Sequence, residues 1–268
     1  MKTLFAFFLI LWITNAYAAD TLRVEIPSKR LKKTTYATLI LPSSYQSSQD
    51  SFPSVYLLHG YTGDHTNFPR KIPELQQLAD ELEIILISTD AGNSWYLDSP
   101  EIQEFQYESY MVEEVIPWID AHYRTLQQRK YRAISGLSMG GHGALYLSGK
   151  HPELFGAAAS MSGGVDFTQF TGNFELKKLL GDYNEKPQQW KEHTIIGRYQ
   201  DFKNKNIALF IDCGVDDFFI EVNRALHQKM LEAQIPHIYM ERPGKHSWDY
   251  WRESVVYHLR FFDRYFQQ

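Results

Sequence analysis

Short apolar runs alternate with longer, helically spaced ones along most of this 268-residue chain. Residues 22–26 and 35–41 read as two early strands, the second alternating in polarity and stopping at Pro42. After a polar loop over 43–51, Val55-Tyr56-Leu57-Leu58 is a continuous apolar run, the pattern of a strand covered on both faces. Residues 84–87 repeat it. Between them, 72–82 carries Leu75, Leu78, Ala79 and Leu82 at helical spacing. Residues 104–123 predict a longer helix, with Met111, Val115, Trp118 and Ile119 on one stripe and Pro117 as an internal kink. A strand ending at Ile134, a helix over 139–150, a strand over 157–161, a strand over 207–212, a helix over 219–233 and a strand over 237–240 continue the alternation. A closing helix over 247–266 has Trp251, Val255, Leu259 and Phe262 on one face. Strands alternating with helices predict an α/β domain: a mostly parallel central sheet with helices on both faces. Residues 166–206 break the rhythm, being polar, weakly periodic and marked by Gly172, Gly181, Pro187 and Gly197. They read as an excursion over one end of the sheet, a short cap-like insertion.

The first 19 residues carry a different pattern. Lys2 precedes an apolar stretch over 4–13, and Ala16-Tyr17-Ala18 supplies a small-x-small cleavage site, the signature of a removable export signal. The stretch is shorter than the roughly 20 residues a membrane span needs. No stable membrane anchor is expected after cleavage, and the destination is periplasmic or extracellular. The remaining segment, 20–268, fits one catalytic-size α/β domain. With 44% hydrophobic and 15% aromatic residues it can bury a sizeable core. Net charge is −5 with both signs interspersed, which points away from nucleic acid as a partner. The single cysteine, Cys213, cannot form an internal disulfide. No zinc spacing, P-loop or dinucleotide fingerprint is present, so neither a metal nor an organic cofactor is implied. Oligomeric state is not written in the chain.

The stretch that organises the chemistry is Ile134-Ser135-Gly136-Leu137-Ser138-Met139-Gly140-Gly141-His142-Gly143. It is a G-x-S-x-G pattern between a strand and a helix, the setting in which a serine projects from a sharp turn as a nucleophile. A serine hydroxyl needs a base to take its proton and an acid to orient that base. In such folds the chain order is serine, acid, histidine, each beyond a strand's carboxyl end. After the strand over 207–212 come Asp216 and Asp217, either of which fits the acid; a helix begins there, so one of the pair is expected to cap it. Pro243-Gly244-Lys245-His246, before the closing helix, supplies the base in His246. His59 suits a loop-ordering role, and His122, His142, His151, His193, His227 and His258 read as structural. Oxyanion donors are expected from the backbone N–H of Met139, after the nucleophile, and of Tyr61, in the glycine-rich turn after His59-Gly60. Trp95 and Trp248 are the aromatic residues placed to wall a pocket.

Taken together, H-G-Y-T-G, N-S-W-Y, G-L-S-M-G-G-H-G-A-L, C-G-V-D-D-F and G-K-H-S-W-D-Y-W resemble the esterase D superfamily of α/β-hydrolases over roughly residues 55–262. That superfamily includes S-formylglutathione hydrolases, tributyrin-type esterases, feruloyl and acetylxylan esterases and mycolyltransferases. The resemblance implies an α/β-hydrolase fold, with Ser138 as nucleophile, His246 as base, Asp217 rather than Asp216 as acid, and Tyr61 and Met139 as the oxyanion pair. It implies an exported serine esterase acting on small-molecule carboxylic esters of short or medium acyl chains, acyl or feruloyl sugars among them. The export signal argues against S-formylglutathione, a cytosolic thioester. An acyltransferase using the same triad with an alcohol acceptor is the alternative, and a binding or adhesion protein that has lost the chemistry is a third reading.

Overall fold

The computed structural model describes residues 20–268; the export signal read over 1–19 lies outside the described residues. Eight strands form one sheet in the order β1-β2-β4-β3-β5-β6-β7-β8. β1 (Asp20–Ser28) and β2 (Lys33–Leu41) make an antiparallel hairpin, and β2 joins β4 (Ile85–Thr89) antiparallel. From β4 onward, β3 (Ser54–Leu58), β5 (Arg132–Leu137), β6 (Ala157–Met161), β7 (Ala208–Gly214) and β8 (Ile238–Arg242) pair in parallel. Every residue of β3, β4, β5 and β6 is buried, which is why these strands are mainly apolar with no alternation of polar positions. β8 is an edge strand, and none of its residues is fully buried.

Two cores sandwich the sheet. On one face α1 (Leu75–Leu82) packs with the long closing helix, through Leu75, Leu78, Trp251, Val255, Leu259 and Phe262. On the other face lie α2 (Ile116–His122), α3 (Met139–Lys150) and α4 (Ile220–Glu232), together with the excursion. The closing helix is α5 (Trp248–Phe266). The single kinked helix expected over 104–123 is instead a short turn at Tyr107–Ser109, a π-helical stretch at Tyr110–Val115 and then α2. Pro117 has no N–H to donate into an α ladder, and the backbone widens just upstream, where Ile116 N–H reaches Met111 O. The excursion over 166–206 is not structureless. It holds short helices at Leu176–Leu180, Pro187–His193 and Ile195–Arg198, each too brief to show a helical period in sequence.

A buried polar network fastens the strands beneath one end of the sheet. Ser135 Oγ on β5 lies 2.9 Å from His258 Nδ1 on α5, and His258 Nε2 faces Asp212 Oδ1 on β7 at 3.3 Å. Ser254 Oγ donates to Asp212 Oδ2, and Arg242 at the end of β8 donates to Ser254 Oγ at 2.6 Å. His258, read from sequence as structural, thus joins α5 to β5 and faces β7, while Ser254 links α5 to Asp212 on β7 and to Arg242 on β8.

Helix α3 approaches the sheet more closely than side chains permit. A Cβ on Gly140 would sit 2.0 Å from the Leu58 carbonyl oxygen, and one on Gly136 would sit 2.2 Å from the Gly140 carbonyl oxygen. Backbone cannot retreat as a flexible side chain can. Gly140→Ala is therefore expected to lower unfolding stability by about 3 kcal/mol or more, as severe overpacking does. Gly172→Ala, where nothing lies within 4 Å, should stay within about 0.5 kcal/mol of the parent. Urea midpoints measured side by side decide it; equal losses at the two sites would refute the close-contact explanation.

Candidate active site

The site is assembled at the carboxyl ends of β5, β7 and β8, with the turn after β3 alongside. Ser138 follows β5 directly and adopts φ +56° and ψ −118°, a conformation that costs an L-residue energy and lifts its side chain off the sheet. Gly136 and Gly140, pressed against each other and against Leu58, leave no other path for the chain. The Ser138 N–H is held by Met161 O at 2.9 Å, while its carbonyl receives the N–H groups of His142 and Gly164. The turn is thus fixed by β6 and by α3, and its side chain is left 8% exposed.

His246 Nε2 lies 2.9 Å from Ser138 Oγ, and His246 Nδ1 lies 2.8 Å and 3.0 Å from the two carboxylate oxygens of Asp217. Asp217 is buried and also accepts the Phe219 N–H at 2.8 Å. One carboxylate thus does both jobs that the sequence divided between two: it steadies the entry into α4 and faces the imidazole. Asp216 is exposed. With Asp217 accepting at Nδ1, the imidazole presents Nε2 to the serine hydroxyl, the arrangement in which it can take that proton. The rings of Phe218 and Trp251 flank the imidazole at 4.3 Å and 4.8 Å between centroids. Burial pushes the neighbouring Cys213 thiol far up, so it stays protonated and does not compete as a nucleophile.

A cavity of about 260 Å³ opens on Ser138, walled by Tyr61, Phe174, Phe218, His246, Trp248 and Trp251. Tyr61 belongs to the turn after β3, and Met139 is the first residue of α3, where N–H groups have no acceptor inside the helix. Among the expected pocket residues, Trp248 lines this cavity and Trp95 does not. Trp95 is 1% exposed and stands behind the wall, edge-on to Phe167, Phe174 and His142. Its place after a strand is legible in the sequence; the left-handed backbone at Trp95 and Tyr96, which turns the indole inward, is not. Phe174 and Phe218 are site residues that sequence reading missed. Phe218 had a signal, since an apolar residue follows the acid and is left 53% exposed; Phe174, inside the excursion, had none. His59 donates from Nδ1 to Gly60 O and accepts the Ala91 N–H at Nε2, so it orders the turn as expected. Among the described residues no group of three or more His, Cys, Asp or Glu side chains could hold a metal ion.

His142, one turn into α3, links the site to the excursion. Its Nε2 lies 2.7 Å from His193 O and its Nδ1 3.1 Å from Trp95 O. Complete burial pushes its pKa down to about 4, against the pull of the two carbonyls, so the ring is neutral and donates to the nearer one. The folded value lies below the ordinary 6.5, so the unfolded chain takes up this proton first as pH falls. Stability contributed by this ring is complete above about pH 6.5 and is lost down to about pH 4. Relative to His142→Gln, which cannot titrate, the parent should lose about 3 kcal/mol of unfolding free energy between about pH 7.5 and pH 4. Denaturant titrations at both pH values measure the difference, and a pH-independent gap would mean that the buried ring titrates as it does in the unfolded chain.

A family model described as "Putative esterase" matches residues 28–262. The chain is 27% identical over 257 residues to an acetyl esterase of Caldicellulosiruptor saccharolyticus, covering 88% of this chain and 95% of that one. It is 25% identical over 268 residues to the S-formylglutathione hydrolase of Mus musculus, covering 90% and 92%. Among solved structures it is similar to a ferulic acid esterase, with a TM-score of 0.80 and 27% identity over 93% of this chain and 99% of that one. The chain therefore belongs to this esterase family, carboxylic ester hydrolases of the α/β-hydrolase fold within the esterase D-like superfamily.

Proposed function

We propose that the protein is an exported serine esterase that cleaves small carboxylic esters through Ser138, His246 and Asp217. The observation that carries this reading is the continuous hydrogen-bonded chain from Ser138 Oγ through His246 to the buried Asp217 carboxylate, open to a cavity at the serine end. Ser138 Oγ attacks the ester carbonyl as His246 Nε2 takes its proton. The Tyr61 and Met139 backbone N–H groups receive the negative charge on the carbonyl oxygen; one such donor contributes about 3 kcal/mol to the transition state. Asp217 faces the imidazolium that forms, and the rings of Phe218 and Trp251 flank it. The imidazolium then protonates the departing alcohol, and water admitted to the same base releases the acid from Ser138.

The cavity supports short acyl groups. Its volume of about 260 Å³ is at the low end for ligand pockets, and its aromatic walls suit an acetyl or similarly small apolar group better than a long chain. The aromatic residues at the mouth, Tyr61, Phe218 and Trp248, offer flat surfaces for a sugar or phenolic portion of an acyl or feruloyl sugar. Export rests on the leader pattern over 1–19.

Ser138→Ala should fold as the parent does, lose fluorophosphonate labelling, and lower kcat on an acetyl ester by several orders of magnitude. Asp217→Asn should cost about 10³- to 10⁴-fold, and Asp216→Asn should stay close to the parent. Equal losses at 216 and 217 would refute the assignment of the acid. Export predicts that protein recovered outside the cytoplasm begins at Ala19 or Asp20; N-terminal sequencing that finds Met1 on the mature protein contradicts it.

A further inference from the structure

The turn after β3 is held from outside by a closed polar circuit that the reaction itself does not use. Thr62 N–H donates to Asn93 Oδ1 at 2.8 Å, and Asn93 Nδ2 donates to Glu175 Oε2 at 2.9 Å. The Tyr61 hydroxyl donates to the same Glu175 oxygen at 3.3 Å. Burial and the facing carboxylate both push that hydroxyl upward, so it remains a donor. The Tyr61 ring also meets Phe174 edge-on at 5.5 Å. Three separate segments are thereby joined: the turn over 60–63, the loop after β4 that carries Asn93, and the excursion that carries Glu175.

Each segment is bent in a way that needs outside support. Thr62, Phe174 and Glu175 all have φ near +60°, as do Trp95 and Tyr96 in the Asn93 loop. A left-handed conformation costs an L-residue about 1 kcal/mol or more, and two consecutive ones persist only where neighbours over-determine them. Trp95 Nε1 reaches Phe174 O at 3.4 Å, which pins the second strained pair to the first. Inside the turn itself, Gly63 N–H reaches Gly60 O at 3.0 Å, and Gly60 packs against Leu137. Those contacts fix the two ends of the turn. The Tyr61–Thr62 peptides between them are fixed by Asn93 and Glu175.

We infer that Asn93 and Glu175 are positioning residues for the oxyanion donor at Tyr61, so that the excursion over 166–206 controls the rate of acyl transfer and not only the fit of substrate. This rests on the reading of Tyr61 and Ser138 given above. An oxyanion donor works only if it is held within about 0.5 Å of its productive place. Neither Asn93 nor Glu175 lines the cavity, so neither needs to touch a small ester. Their effect falls on kcat, because charge on the carbonyl oxygen grows toward the transition state while ground-state contacts stay unchanged.

The test is steady-state kinetics on a small neutral ester, p-nitrophenyl acetate, with every preparation normalised to fluorophosphonate-labelled Ser138. Asn93→Ala should lower kcat roughly 10- to 100-fold with KM within about threefold, the size expected of a misplaced reacting group. Glu175→Ala, at an exposed position, should fold as the parent does and lower kcat in the same sense. Glu175→Gln retains an oxygen that accepts both donors and should restore kcat to within about threefold of the parent. The double alanine variant should be no worse than Asn93→Ala alone, because both act through one circuit. A purely structural role would lower the labelled fraction and the melting temperature but leave kcat per labelled site unchanged; that result, a loss confined to KM, or failure of the Gln variant to rescue each overturns the inference. If the parent neither labels at Ser138 nor hydrolyses the ester, the esterase reading fails first.

Discussion

Everything at this site depends on how closely α3 is pressed onto β3 and β5. Gly140 meets the Leu58 carbonyl and Gly136 meets Gly140, with no room for a methyl group at either. That contact forces the chain between them through a left-handed serine. It also places the start of α3 directly under the serine, so that the helix's free N–H groups and the hydroxyl point into one space. The strain at Ser138 is borne by the surrounding hydrogen bonds to Met161, His142 and Gly164.

The other two groups are delivered by strands that do not touch β5. β7 leads to Asp217 and β8 leads to His246, and their spacing across the sheet sets how far the imidazole must reach. The Ser135–His258–Asp212 network crosses that interval from below, and Arg242 extends it to the last strand. Two polar layers are therefore stacked at one end of the sheet. The upper one is open to the cavity; the lower one is buried and packs α5 against the strands whose ladder sets that spacing.

The fold and the polar chain at the site were legible for identifiable reasons. Strands buried on both faces are mainly apolar without alternation, so β3 and β4 stand out in the pattern. The close approach at Ser138 has to be written with glycines two residues either side. His246 and Asp217 follow strands in the order the fold requires. What the sequence did not disclose is directional or non-local. Nothing in the residues near Trp95 says that its indole turns inward. Glu175 and Asn93 are 82 positions apart and meet only because two irregular segments converge. The π-helical stretch before Pro117 is a third case: the missing N–H is evident, but where the backbone absorbs it depends on packing.

His246 follows β8, a strand at the edge of the sheet. Ser138 and Asp217 hang from strands sealed on both faces, whereas β8 has one neighbour and no fully buried residue. Local opening is easiest where few contacts must be broken. By that measure β8 opens more readily than the strands that lead to Ser138 and Asp217. The three groups of one hydrogen-bonded chain thus hang from parts of the sheet that differ in how firmly they are held.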